Sequence, residues 1–197
     1  MRRKFWWSLG ALAITLVSGG SASALPVTPT ARSCVVDPIE RIELQDAAKA
    51  PVPRRAEPAI SATPVTDIEL SRISRIVRIM TACTNANQPL RALALVTDTY
   101  IAEYFAGSAG QDQLGHLLAA SSREPDPATP EDRLALLAVE GPARYEDGRI
   151  AVTVVTQNAE SRFTDLLIFA ETDNGWRLDQ VVLGEQRPAA GTPIADS

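Results

Sequence analysis

The sequence predicts an α+β fold, with helices first and an antiparallel sheet after them, and three observations predict it. Tyr145-Glu146-Asp147-Gly148-Arg149 leads into the β-branched run Ile150–Gln157, and a second apolar run, residues 162–170, turns at Asp173-Asn174-Gly175 into Trp176-Arg177-Leu178-Asp179. Asp-Gly and Asn-Gly supply the positive φ that tight hairpin turns require, so these runs read as an antiparallel meander. The first half instead repeats at helical spacing, with Ile73, Ile76, Val77, Met80 and Cys83 at steps of three and four. Helices followed by a curling sheet form a cone around an internal cavity, a shape suited to a small guest.

At 197 residues and 45% hydrophobic content, the chain supports one core of ordinary size and one folded domain. Residues 1–24 read as a signal peptide. Arg2-Arg3-Lys4 is a basic leader, residues 5–17 are apolar, and Ser21-Ala22-Ser23-Ala24 offers small residues for cleavage after Ala24. An uncleaved membrane anchor is the alternative, since residues 5–25 are almost long enough to span a bilayer, but Ser18-Gly19-Gly20-Ser21 breaks their apolar character. Arg2-Arg3-Lys4-Phe5 is also a partial twin-arginine match without a preceding Ser or Thr. No later segment is long and apolar enough to span a membrane, so the expected mature chain is soluble and extracytoplasmic or secreted. Thr30-Ala31-Arg32-Ser33 is too polar to make Cys34 a lipid anchor.

Cleavage leaves 16 basic against 24 acidic residues, a formal net charge of −8. That balance argues against nucleic acid, whose phosphates demand clustered Lys and Arg. Two cysteines in an exported chain allow one disulfide, Cys34 to Cys83, tying the N-terminal segment to a helix and closing about 50 residues for up to roughly 4 kcal/mol. With His116 the only histidine, no metal site is expected.

The elements follow in order. Residues 25–65 carry seven of the fourteen prolines and read as a mostly irregular extension. One short helix is expected in it, with Asp37 as cap, Pro38 opening it, and Ile39, Ile42 and Leu44 on its apolar side. The domain, residues 66–187, opens on the capping box Thr66-Asp67-Ile68-Glu69. The helix after it exposes Arg72, Arg75 and Arg78, read as a solvated face, and stops at Asn85-Ala86-Asn87. Pro89 opens a second helix, residues 89–96; Asp98 caps a third, residues 99–105, which Gly107-Ser108-Ala109-Gly110 ends. Leu114, Leu117 and Leu118 fit a short helix, and Pro125, Pro127 and Pro130 a loop at a cavity rim. Residues 133–139 start the first strand, with helix open as an alternative, and residues 188–197 read as a disordered tail.

The helix breaks in "TNANQPLRALALVTDTYIAEYF" and the cadence "RYEDGRIAVTVV…FTDLLIFAETDNGWRLDQVVLG" resemble the nuclear-transport-factor-2-like superfamily, including its SnoaL-like and ketosteroid-isomerase-like members, over residues 66–184. The resemblance implies about three N-terminal helices packed on a curved antiparallel sheet, with a pocket between them. It is nearly silent on activity, because one such fold hosts isomerases, cyclases, hydrolases and plain binding domains. Alternation puts Ile150, Val152 and Val154 on one sheet face and Ala151, Thr153, Val155 and Gln157 on the other. Both faces being largely apolar, and the superfamily often pairing through the outer one, a homodimer is expected.

Two classes of function remain. The leading expectation is a non-catalytic domain that binds a small apolar molecule or an envelope protein in a pocket lined by Tyr100, Tyr104, Phe105, Val152, Val154 and Phe169. The alternative is an isomerase or cyclase, which needs a carboxylate to move a proton and a Tyr or protonated acid to hold an oxyanion. Asp98 and His116 are its candidates, with Tyr100, Glu103, Tyr104, Tyr145 and Asp179 as further ones. Asp98 is more economically a helix cap, and Asp179 is expected to face solvent. Ser121-Ser122 lacks the glycine elbow of a hydrolase, and no phosphate-cradling or dinucleotide motif is present, so no cofactor is implied.

Overall fold

The computed structural model describes residues 27–54 and 58–189. Among them the fold is α+β, with five α-helices followed by a four-stranded antiparallel sheet. The expected signal segment and residues 190–197 of the expected tail lie outside the described residues. No helix among the described residues is long and apolar enough to cross a membrane.

The N-terminal extension is built into the core. After a 3-10 turn at Ala31–Ser33, helix α1 (Arg41–Lys49) buries Leu44, Ala47 and Ala48, and Ile39 is buried just before it. The helix starts later than Asp37 and Pro38 suggested, and Glu40 precedes it without a side-chain cap. The reason is tertiary: the Ile39 amide donates to the Leu90 carbonyl (3.1 Å), which keeps residues 37–39 out of the helix, and Ile42 points outward instead of inward. Cys34 and Cys83 form a disulfide, Cα atoms 4.7 Å apart, inside a small cluster with Ala82, Ala86, Val36, Ile79 and Ala92.

Helix α2 (Asp67–Asn85) begins with the complete capping box: the Glu69 amide donates to Thr66 Oγ1, and the Thr66 amide to Glu69 Oε2. Ile73 and Val77 face the core while Arg72, Arg75 and Arg78 are exposed. The helix ends where expected, with Asn87 at φ 52°. Helix α3 (Pro89–Leu93) is shorter than the periodicity suggested, because the chain from Leu95 to Thr97 pairs with the last strand: Leu178 N donates to Leu95 O and Thr97 N to Leu178 O.

Helix α4 (Asp98–Tyr104) is capped by Thr97, not by Asp98. Thr97 Oγ1 accepts from the Tyr100 amide (3.1 Å) and donates to Asp179 Oδ1 (2.7 Å), so a partner in the sheet selects the cap. Gly107 to Gly110 do not terminate structure; they open α5 (Gly107–Ala120). Gly107 takes φ 72° at the corner, and Gly110 lies so close to the Phe105 backbone that a Cβ would collide with its carbonyl.

The strands β1 (Ala135–Arg144), β2 (Ile150–Gln157), β3 (Ser161–Thr172) and β4 (Gly175–Pro188) pair in sequence order as a meander. Residues 133–139 therefore resolve as strand, starting at Ala135, and β4 runs one residue into the expected tail. Gly148 (φ 88°) and Gly175 (φ 92°) make the two turns as their positions demand. The register sets Ile150 beside Phe169 and Phe169 beside Leu178 on the helix-covered face. Ile73, Ile101, Phe105, Ile150, Val152 and Phe169 meet there in one buried core, which Leu44 of α1 joins. The opposite face sets Thr153 beside Leu166 and Leu166 beside Val182, and Val182 and Leu183 stand exposed near its edge.

Candidate functional site

Of the six residues expected to line an internal pocket, four are core. Phe105, Val152 and Phe169 are fully buried and Val154 nearly so, all packed in the main cluster with Ile101 and Leu178. Tyr100 and Tyr104 extend this cluster outward along α4. Their rings stack at 5.8 Å, Tyr104 meets Phe105 edge-on at 4.9 Å, and Gln113 Nε2 donates to the Tyr104 hydroxyl (2.7 Å). Tyr104 is 45% exposed, whereas burial, aided by the neighbouring Tyr104, pushes the Tyr100 hydroxyl up to about 12.

The two leading acid–base candidates lie at the surface. Asp98 is exposed at the first turn of α4, and His116 is exposed on α5, whose buried side chain is Leu114. No cluster of three or more metal-ligating side chains occurs among the described residues.

Two polar networks tie elements together. Asp179, expected in solvent, is buried at a β4 irregularity where Ile168 pairs with Gln180 and Phe169 with Leu178. Its carboxylate accepts from Thr97 Oγ1 and from Arg149 Nη1 (3.1 Å), and Arg149 Nε also donates to Asp147 Oδ2 (2.8 Å). One irregular step in β4 thus turns a residue that alternation points outward into the joint between the sheet and the start of α4. In the second network Arg144 Nη2 donates to both carboxylate oxygens of Glu69 (2.8 and 2.7 Å). That bond, with the Thr66 amide and hydroxyl behind it, lowers the Glu69 carboxyl to about 2.

One concavity among the described residues lies at the surface, away from the six expected residues. A groove of about 310 Å³ opens between Pro38 ahead of α1, the α2–α3 corner from Asn87 to Arg91, and the end of α5 from Ala120 to Pro125. Its walls are fixed. The disulfide anchors Cys34, Arg91 Nη1 donates to the Val36 carbonyl (2.6 Å), and Ile39 N donates to Leu90 O, so the extension is held against α3. On the far wall, Arg41 Nη2 donates to the hydroxyls of Ser121 (3.3 Å) and Ser122 (2.8 Å), drawing the end of α5 toward α1. Those hydroxyls in turn donate to the Leu118 carbonyl, and the amides of Ser121, Ser122 and Arg123 occupy the carbonyls of Leu117, Ala119 and Ala120. Pro38, Pro89, Leu90, Ala120 and Pro125 give the groove its apolar lining, and Asn87, Gln88, Arg91, Ser121, Arg123 and Glu124 its polar one.

Sequence reasoning missed this site because its residues come from three separated stretches with no shared periodicity. The legible signals were the prolines: Pro125, in the loop expected at a cavity rim, does border the groove. Such a site can hold a guest of modest size through apolar contact and a few polar groups. No protein-family model, no curated protein and no solved structure matches this chain.

Proposed function

We propose that this chain is an exported, non-catalytic binding domain of the nuclear-transport-factor-2-like kind, a cone that takes a small, largely apolar molecule, with the groove beside α3 as its seat. The observation that carries the proposal is the groove itself: about 310 Å³, lined by both apolar and polar side chains, with both walls held by the disulfide and by arginine bonds to the backbone and to serine hydroxyls. Fixed walls favour binding, because little conformational freedom is lost when a guest enters. Asp98 and His116 stand at the surface, and the buried Asp179 carboxylate is already held by Thr97 and Arg149, which supports binding over proton-transfer chemistry. Pairing of two copies through the sheet face that carries Leu166 and Val182 belongs to the same proposal.

Native mass spectrometry of the protein purified from its own host, followed by denaturation in the same run, tests this reading. A dimer of oxidised chains beginning after Ala24 and releasing a small molecule is the expected result. A ligand-free monomer that still carries residues 1–24 would refute it.

A further inference from the structure

Resting on the reading that the groove is a ligand seat, we propose that its ligand class is a small amphiphile with a carboxylate head, the head held by Arg123 and the apolar tail laid along Pro38, Pro89, Leu90 and Pro125. The chain is acidic overall, at net −5, yet the groove is lined by two arginines, Arg91 and Arg123, against one acid, Glu124. Arg91 already spends Nη1 on the Val36 carbonyl, with Cys34 O at 3.4 Å, so it serves the wall. Arg123 borders the groove, is exposed and forms no ion pair with any described residue, which leaves its guanidinium fork free for a planar carboxylate. Asn87 and Gln88, also in the lining, add side-chain amide donors.

A helix end normally repels an anion, because its last carbonyls carry partial negative charge. Here that repulsion is blunted. The carbonyls of Leu117, Leu118, Ala119 and Ala120 all accept hydrogen bonds from residues 121–123, and Arg41 stands beside them on Ser121 and Ser122. At roughly 30 Å³ per water the groove has room for about ten waters, hence for an amphiphile of about ten non-hydrogen atoms. Octanoate has that size, and a ligand so small binds in the millimolar range at about 0.3 kcal/mol per atom.

The test is a titration of the full disulfide-bonded, isotope-labelled protein with octanoate, octylamine and octanol at neutral pH, followed by amide NMR shifts. Octanoate should shift the amides of Gln88, Leu90, Ala120 and Arg123, and saturate at lower concentration than the other two. Arg123→Gln should weaken octanoate about tenfold, the scale of one lost charge-assisted hydrogen bond, while Arg123→Lys recovers part of it and octanol binding is unchanged. If octylamine or octanol fills the groove as well as octanoate does, or Arg123→Gln changes nothing, the carboxylate class is overturned while the groove stands as a seat. If none of the three shifts groove amides, both the class and the seat fall.

Discussion

Replacing both Cys34 and Cys83 by alanine should cost about 4 kcal/mol, because the bridge closes a loop of sequence separation 49 and its loss returns that closure entropy to the unfolded chain. Alanine is the apt replacement: Cys83 is fully buried and Cys34 nearly so, in an apolar cluster where a serine hydroxyl would have to be desolvated. Domains are stable by only about 5–15 kcal/mol, so this is a large fraction of the whole. For a domain of this size the midpoint temperature should fall by about 8–16 °C. The assay is thermal and guanidinium unfolding of oxidised wild type and the double variant, followed by circular dichroism. One cooperative transition is expected in both proteins, since Leu44 packs in the same core as Ile101 and Phe105. A loss below about 1 kcal/mol would refute the loop-entropy argument. A separate early transition confined to residues 34–49 would refute the shared core.

Three further outcomes follow from the contacts. Gly110→Ala should destabilise by about 1–3 kcal/mol, since the added Cβ meets the Phe105 carbonyl, whereas Gly115→Ala on the same helix, with open space around it, should stabilise by up to about 1 kcal/mol in chemical denaturation. Asp179→Ala strands the Thr97 hydroxyl and removes one of the two carboxylates on Arg149; a loss of about 3 kcal/mol is expected, with faster amide exchange at the start of α4. Glu69 has its carboxyl lowered from an ordinary 4.5 to about 2 by Arg144 and Thr66. Its contribution is therefore present above pH 4.5 and lost as pH falls toward 2. Glu69→Gln should be less stable than wild type by up to about 1 kcal/mol at pH 7, because solvent screens the partly exposed pair, with the gap closing near pH 2; a gap independent of pH would show that charge is not the cause.

Local signals were read where the chain itself settles the outcome. The capping box at Thr66 and Glu69, the helix stop at Asn87 and the two glycine turns at Gly148 and Gly175 stand as the sequence implies, because each is satisfied by groups within a few residues. The strand faces follow for the same reason, since alternation is a property of the strand backbone. The misreadings share one cause. Thr97 rather than Asp98 caps α4, Asp179 turns inward and α1 starts late, each because a partner in another element takes the group in question: Asp179 for Thr97, Arg149 for Asp179, Leu90 for the Ile39 amide. Gly107 to Gly110 read as a helix end until the close approach of Gly110 to Phe105 shows that small residues were needed to start α5.

The α+β class, the meander order, the single disulfide pairing and the sorting of strand residues onto two faces were all legible in the chain, since each rests on short-range spacing or on there being two cysteines. The place of the extension in the core, the packing of Phe105, Val152 and Phe169 there, and the groove between Pro38, Leu90 and Pro125 came instead from the docking of distant segments. A groove is a gap between surfaces contributed by distant segments, so its shape depends on how those segments dock, and no local pattern of side chains encodes it.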